Sequence, residues 1–97
     1  MAYSYIFEPR AADEYEQAFL WYEERSFVAA DNFIVAVQEA IENICNYPYR
    51  YRNTYQEFRE LTVKKYPYNI IYQVDDSKSL IIIFSVFHHK RNPGKKH

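Results

Sequence analysis

The stretch Leu80-Ile81-Ile82-Ile83-Phe84-Ser85-Val86-Phe87 decides the architecture of this 97-residue chain. Seven of its eight residues are apolar, and most are β-branched or aromatic. A strand with one wet face alternates apolar with polar residues, so a nearly unbroken apolar run belongs at the centre of a sheet, covered on both faces. It is too short to cross a bilayer as a helix, which takes about 20 residues. The run ends at His88-His89-Lys90-Arg91-Asn92-Pro93, so the least polar segment carries proton-active and cationic side chains to one end of the sheet.

The neighbours of this run supply the sheet. Tyr68–Val74 reads as a strand, and Asp75-Asp76-Ser77-Lys78 as the hairpin loop joining it to the central one. Phe58–Lys65 alternates, with Phe58, Glu60, Thr62 and Lys64 on one face and Arg59, Leu61, Val63 and Lys65 on the other, which suits an outer strand. Tyr66-Pro67 ends it, and the polar, aromatic stretch Tyr49–Gln56 reads as a loop. At the other end of the chain, Tyr3–Glu8 is rich in strand formers and stops at Pro9.

Between the first strand and the others the hydrophobic period changes to that of helices. Ala11, Tyr15, Ala18, Phe19 and Tyr22 form one stripe, with Asp13, Glu14, Glu16, Glu23 and Glu24 on the other side. Trp21 sits at the edge of that stripe and suits either the core or a partly exposed anchor for a partner. Ser26 has the chemistry of an N-cap for a second helix, whose stripe is Ala30, Phe33, Ile34, Val37, Ile41, Ile44 and Cys45 and which stops at Asn46-Tyr47-Pro48. So short a joint folds the helices back as an antiparallel hairpin. The expectation is one α+β domain over residues 1–97, β-α-α-β-β-β, with an antiparallel sheet in the order 1-4-3-2, the helical hairpin packed on one face and 93–97 as a loose tail.

Charge is distributed unevenly. Residues 1–48 hold two cations against nine carboxylates, 2 − 9 = −7, and residues 49–97 hold ten cations against four, 10 − 4 = +6. A basic second half suits an anionic partner, although the two halves neutralising one another in the fold would serve equally well. The lone Cys45 makes an intrachain disulfide impossible and fits a cytoplasmic setting, as does an N-terminus without the pattern of a signal peptide. Adjacent strand residues point to opposite faces, so His88 and His89 do not share a metal in regular geometry, and no Cys-x-x-Cys or His-x-x-x-His spacing occurs. Gly94 is the only glycine, which rules out a glycine-rich phosphate loop. No metal and no cofactor are expected.

What remains is a cationic set: Arg59, Lys64, Lys65, Lys90 and Arg91, with His88 and His89. On a sheet it would bind phosphates, with an imidazole as acid or base. The same residues also fit a solvated surface around one structural histidine.

The runs Phe58-Arg59-Glu60-Leu61, Lys65-Tyr66-Pro67-Tyr68-Asn69-Ile70-Ile71-Tyr72-Gln73-Val74 and Val86-Phe87-His88-His89-Lys90-Arg91-Asn92-Pro93 resemble, in this order and spacing, the C-terminal half of RelE/ParE-superfamily toxins. The likeness is greatest to those called plasmid stabilisation proteins, and the hairpin with Trp21-Tyr22, Phe33 and Ile44…Pro48 extends it over nearly the whole chain. The resemblance implies the growth-inhibiting toxin of a bacterial type II toxin–antitoxin pair, neutralised by a cognate antitoxin and acting without a membrane. It offers two mechanisms. RelE-like members cut mRNA on the ribosome, for which Arg59, His88 or His89, and Arg91 would form the catalytic set. ParE-like members poison DNA gyrase. Asn69 stands where RelE has an arginine before its apolar-Tyr pair, and no tyrosine follows Val86, so the ParE-like reading is preferred. A third reading is an inactive homologue that only binds antitoxin. In each case Trp21, Tyr22, Lys64 and Lys65 are expected to meet the antitoxin, through an acidic, amphipathic segment.

Overall fold

A computed structural model of the chain describes residues 3–90. Arg91 and the expected tail 93–97 lie outside the described residues. The elements, in chain order, are β1 (Ser4–Phe7), α1 (Pro9–Glu23), α2 (Phe27–Asn46), β2 (Arg52–Tyr55), β3 (Phe58–Thr62), β4 (Tyr68–Asp75) and β5 (Leu80–His88).

Local chemistry sets the helix bounds. Pro9 opens α1, where its missing N–H and fixed φ cost nothing. The Ser26 hydroxyl accepts from the Val28 and Ala29 amides at 3.1 and 3.2 Å, which caps α2 as its sequence position suggested. The hairpin packs on the sheet through an aromatic hub. Phe33 is fully buried, with ring centroids of Tyr22 at 4.8 Å, Tyr68 at 5.2 Å, Tyr66 at 5.5 Å and Tyr15 at 6.0 Å. Below it lie Ile70 and Tyr72 from β4 and Ile81, Ile83 and Val86 from β5. Burying each such side chain stabilises the fold by roughly 1.5–3 kcal/mol. Cys45 joins this core from α2.

The sheet order is β1-β5-β4-β3-β2, so the greasy run is central, between β1 and β4, and none of its residues is exposed. The fold class is α+β, with the hairpin on one face. Three details differ from the sequence expectation. The stretch expected to be a loop contains β2, a polar edge strand hydrogen-bonded to β3. It has no apolar alternation because the sheet's outermost strand needs only backbone pairing and can leave its side chains wet. The outer strand expected over Phe58–Lys65 ends at Thr62, because Val63–Pro67 turn back, the Val63 amide bonding the Tyr68 carbonyl at 2.8 Å. With β2 paired outside it, this strand is second from the edge. Finally, β1 runs parallel to β5, while the other pairings are antiparallel.

A bulge in β5 redirects the second half of that strand. Ile71 pairs with Ser85 but Tyr72 with Ile83, so Phe84 is the extra residue and packs edge-on against Phe58 at 5.1 Å. The core-facing series on β5 thereby steps from Ile81 and Ile83 to Val86. Strand β1 has already ended at Phe7, and the Glu14 carboxylate on α1 takes over the free side of β5 by accepting from Ser85 Oγ at 2.7 Å and the Val86 amide at 2.9 Å.

Candidate functional site

The end of β5 and the β3–β4 turn meet at one end of the molecule. The His89 amide bonds the Pro67 carbonyl at 2.9 Å, which ties the chain after β5 to the turn carrying Lys64 and Lys65. Both lysines are exposed, and Lys65 adopts a left-handed backbone (φ 71°) that directs the turn. Tyr66 in the same turn contacts Tyr22 at 5.6 Å, and Trp21 contacts Tyr22 at 4.9 Å. Trp21, Tyr22, Lys64, Lys65, His88, His89 and Lys90 are therefore gathered at one end, although they lie far apart along the chain.

Their environments differ. Trp21 is half-buried, with the Arg25 guanidinium 3.5 Å from its ring centroid, while Arg25 also donates to the Trp21 carbonyl at 2.8 Å. Such a cation–π stack holds a large flat surface rigid and lends it positive charge. The i, i+4 spacing of Trp21 and Arg25 was visible in the sequence, and Arg25 was missed. Tyr22 is half-buried as well, its ring built into the aromatic hub. His88 is half-buried, with its ring 5.0 Å from that of Tyr68, and its Nδ1 accepts from the Lys90 amide at 3.2 Å. A neutral imidazole bonded in this way carries its proton on Nε2. Beside it, a groove of about 730 Å³ runs along α1, lined by Asp13, Glu14, Gln17 and Trp21 across from Tyr68 and His88.

Arg59 is elsewhere. Its register sets it opposite Tyr72, whereas His88 is opposite Tyr68. Four residues along β4 and two strand spacings put their backbones roughly 16 Å apart. The Arg59 guanidinium donates to the carbonyls of Tyr51 at 2.8 Å and Tyr49 at 3.3 Å, and lies 5.0 Å from the Tyr49 ring centroid. It fastens the segment after α2, as does the buried Tyr72 hydroxyl, which donates to the Pro48 carbonyl at 2.6 Å. Burial raises the Tyr72 pKa. Thus the structure does not unite Arg59 with His88 or His89, and Arg91 is outside the described residues.

The sheet face away from the core is no richer in cations. Glu60 and Asn69 are buried side by side there, with the Asn69 amide donating to the carboxylate and Arg52 Nη2 3.5 Å from Glu60 Oε1. Ile71, also buried, pairs with Glu60 across the strands.

At the far end, Asp76 accepts from the Tyr3 hydroxyl at 2.6 Å and from the Tyr49 hydroxyl, joining the β4–β5 turn to β1 and to the post-α2 segment. These bonds hold the Asp76 carboxyl below its usual range and push Tyr49 up to about 12. Among the described residues no group of three or more His, Cys, Asp or Glu is placed to hold a metal ion, and no helix is long and apolar enough to cross a membrane.

Similarity to known proteins agrees with this architecture. No curated protein sequence matches significantly. Among solved structures, the isolated Escherichia coli RelE toxin superposes with a TM-score of 0.65 at 17% identity, over 90% of this chain and 84% of that one. The chromosomal ParDE system of Pseudomonas aeruginosa gives 0.61 at 16% identity, over 90% and 96%. The RelBE2 toxin–antitoxin complex of Mycobacterium tuberculosis gives 0.63 at 17% identity, over 91% and 99%. At such identities these likenesses speak for the fold. A family model described as the ParE toxin of the type II toxin–antitoxin system parDE matches residues 5–93, and the chain accordingly belongs to that toxin family.

Proposed function

We propose that this toxin inhibits growth by binding DNA gyrase, as a ParE-like poison, and not by cutting RNA. The observation that carries this reading is the position of Arg59. Cleavage by 2′-hydroxyl attack needs a group to take the proton and a cation beside it to hold the charge growing on phosphate. The Arg59 side chain is engaged with two main-chain carbonyls, and its backbone is roughly 16 Å from that of His88. Asn69 occupies the β4 position opposite Thr62 and is bonded to Glu60, so it adds no cation.

The end built from Trp21, Arg25, Lys64, Lys65 and Lys90 is the surface this reading assigns to partners. The cognate antitoxin neutralises the toxin, its acidic segment meeting Lys64 and Lys65 beside Trp21. Complexes of related toxins with their antitoxins in E. coli and M. tuberculosis support such a partner.

Short induction of the toxin without its antitoxin tests the mechanism. Gyrase-linked DNA breaks and an SOS response, without new 5′ ends inside codons, are expected. New 5′ ends within codons and no breaks would establish the RelE-like endoribonuclease instead, with His88 or His89 as the proton-transfer group. Unchanged growth would leave only an antitoxin-binding homologue.

A further inference from the structure

We propose that the outer edge of β1, with the two grooves that flank it, is a docking site for an extended segment of a partner protein that alternates apolar residues with lysine or arginine. The backbone supplies the first argument. The amides of Ser4 and Glu8 bond the Ser79 and Ile83 carbonyls, so the even-numbered residues of β1 face β5 and the odd-numbered ones face outward. The outward amide of Tyr3 is taken by the Cys45 carbonyl at the end of α2, at 3.0 Å. Among the described residues nothing takes the outward amides of Tyr5 and Phe7 or the Tyr5 carbonyl between them.

The two edges of the sheet are built differently. Strand β2 carries Arg52 and Asn53, and its pairing is irregular between Asn53 and Tyr55, features that discourage a further strand. The β1 edge reads Tyr5-Ile6-Phe7, with no charge and regular pairing, and Ile6 is 47% exposed. An edge left in this state is a template for strand addition.

The grooves supply specificity. One, of about 610 Å³, lies between Tyr3, just before β1, with Tyr5 on it, and Val35, Glu39 and Glu42 on α2. The other, of about 400 Å³, is lined by Phe7, Tyr15, Phe19 and Glu16. Ile34 belongs to both, so they form one path along the edge. Among the described residues its walls are largely apolar, its charged residues are Glu16, Glu39 and Glu42, and no lysine or arginine lines it. Apolar side chains on one face of an added strand would fill the path while cations answer the carboxylates. A second copy of this chain would bring its own three carboxylates to the same place, so like charges oppose self-pairing here.

That the antitoxin carries this segment rests on the function proposed above, and the chemistry of the segment does not. The site is distinct from the Lys64–Lys65 end and of opposite sign. Hydrogen exchange on the full chain, at low salt, is the test, with a short peptide alternating valine and lysine as probe and its valine–glutamate counterpart as control. Slower exchange at the Tyr5 and Phe7 amides is expected with the lysine peptide alone. The double variant Glu39→Lys/Glu42→Lys, altered at two exposed positions, should weaken that peptide about tenfold or more and admit the glutamate one. Protection by both peptides or by neither, protection elsewhere, or an unchanged preference in the double variant overturns the proposal. So does concentration-dependent protection of Tyr5 and Phe7 without peptide, which would mark a second copy as the occupant. A parallel titration with the cognate antitoxin separates the two readings: failure to bind defeats the antitoxin assignment, and the peptide result still decides the edge.

Discussion

The Glu14 carboxylate and the Val86 amide meet at 2.9 Å across 72 residues of sequence, where β1 has ended and β5 is bulged. One side chain from α1 thus completes the hydrogen bonding of the central strand, with Ser85 Oγ as its second donor. Leaving buried donors unmade costs about 1–3 kcal/mol. Glu14→Ala should lower stability by about that amount and Glu14→Gln by less, since the amide oxygen still accepts. The midpoint of urea unfolding reads the difference. Equal midpoints for Glu14→Ala and the parent would show that the carboxylate adds nothing to stability at the bulge.

Arg59 makes the next prediction because its bonds are architectural. Arg59→Ala removes two hydrogen bonds to the post-α2 segment and a contact with Tyr49, a loss of about 1–3 kcal/mol. Arg59→Lys keeps the charge without the planar fork and should recover only part of it. Hydrogen exchange across 47–51 should quicken in both variants, in proportion to the stability lost. A growth-inhibition defect in a variant of parental stability would give Arg59 a functional role beyond this architectural one.

Asp76, Tyr3 and Tyr49 give the fold a pH signature at both extremes. The Asp76 carboxyl is held below its ordinary range by the two tyrosine hydroxyls, so its contribution is complete above about pH 4 and disappears as pH falls through the lowered native value. Tyr49 runs the other way. Raised to about 12 by its bond to Asp76, its contribution is complete below the ordinary value near 10 and is lost as pH climbs from there to about 12. Unfolding free energy measured against pH should slope upward at the acid end and downward at the alkaline end. Asp76→Asn should flatten the acid limb, and Tyr49→Phe the alkaline one; an Asp76→Asn profile that tracks the parent at low pH would contradict the first.

Tyr72 and the Ser26 cap test two local arguments. Tyr72→Phe leaves the Pro48 carbonyl without its buried donor and should cost about 1–3 kcal/mol. Ser26→Ala removes the oxygen that serves the Val28 and Ala29 amides, worth about 1 kcal/mol. Thermal unfolding should show both losses, while exchange at the first turn of α2 should respond to Ser26→Ala and hardly to Tyr72→Phe. The same response to both would mean that the cap is not local.

Much of this architecture is written in short-range chemistry. Ser26 before an apolar period of 3.6, Pro48 after it, and an eight-residue run of mostly β-branched and aromatic character are sufficient to place α2 and the central strand, because capping, period and breaker all act within a few residues. The resemblance carried by Lys65–Val74 and Val86–Pro93 led to the right family for the same reason: those runs are contiguous. Strand β2 escaped notice because Arg-Asn-Thr-Tyr contains no periodic signal and its pairing with β3 supplies the structure.

Which side chains share a site is another matter, and only the tertiary structure decided it. Arg59 and His88 belong to one cationic list in the sequence, yet strand register separates them and local carbonyls claim the arginine. Lys64, His89 and Trp21 come together because a turn, a strand end and a helix end meet in space. The bulge at Phe84 shifts the core-facing series of β5, and it creates the opening that Glu14 fills. Pattern and propensity are properties of neighbouring residues, whereas a shared surface depends on register, and register is fixed by the packing of the whole.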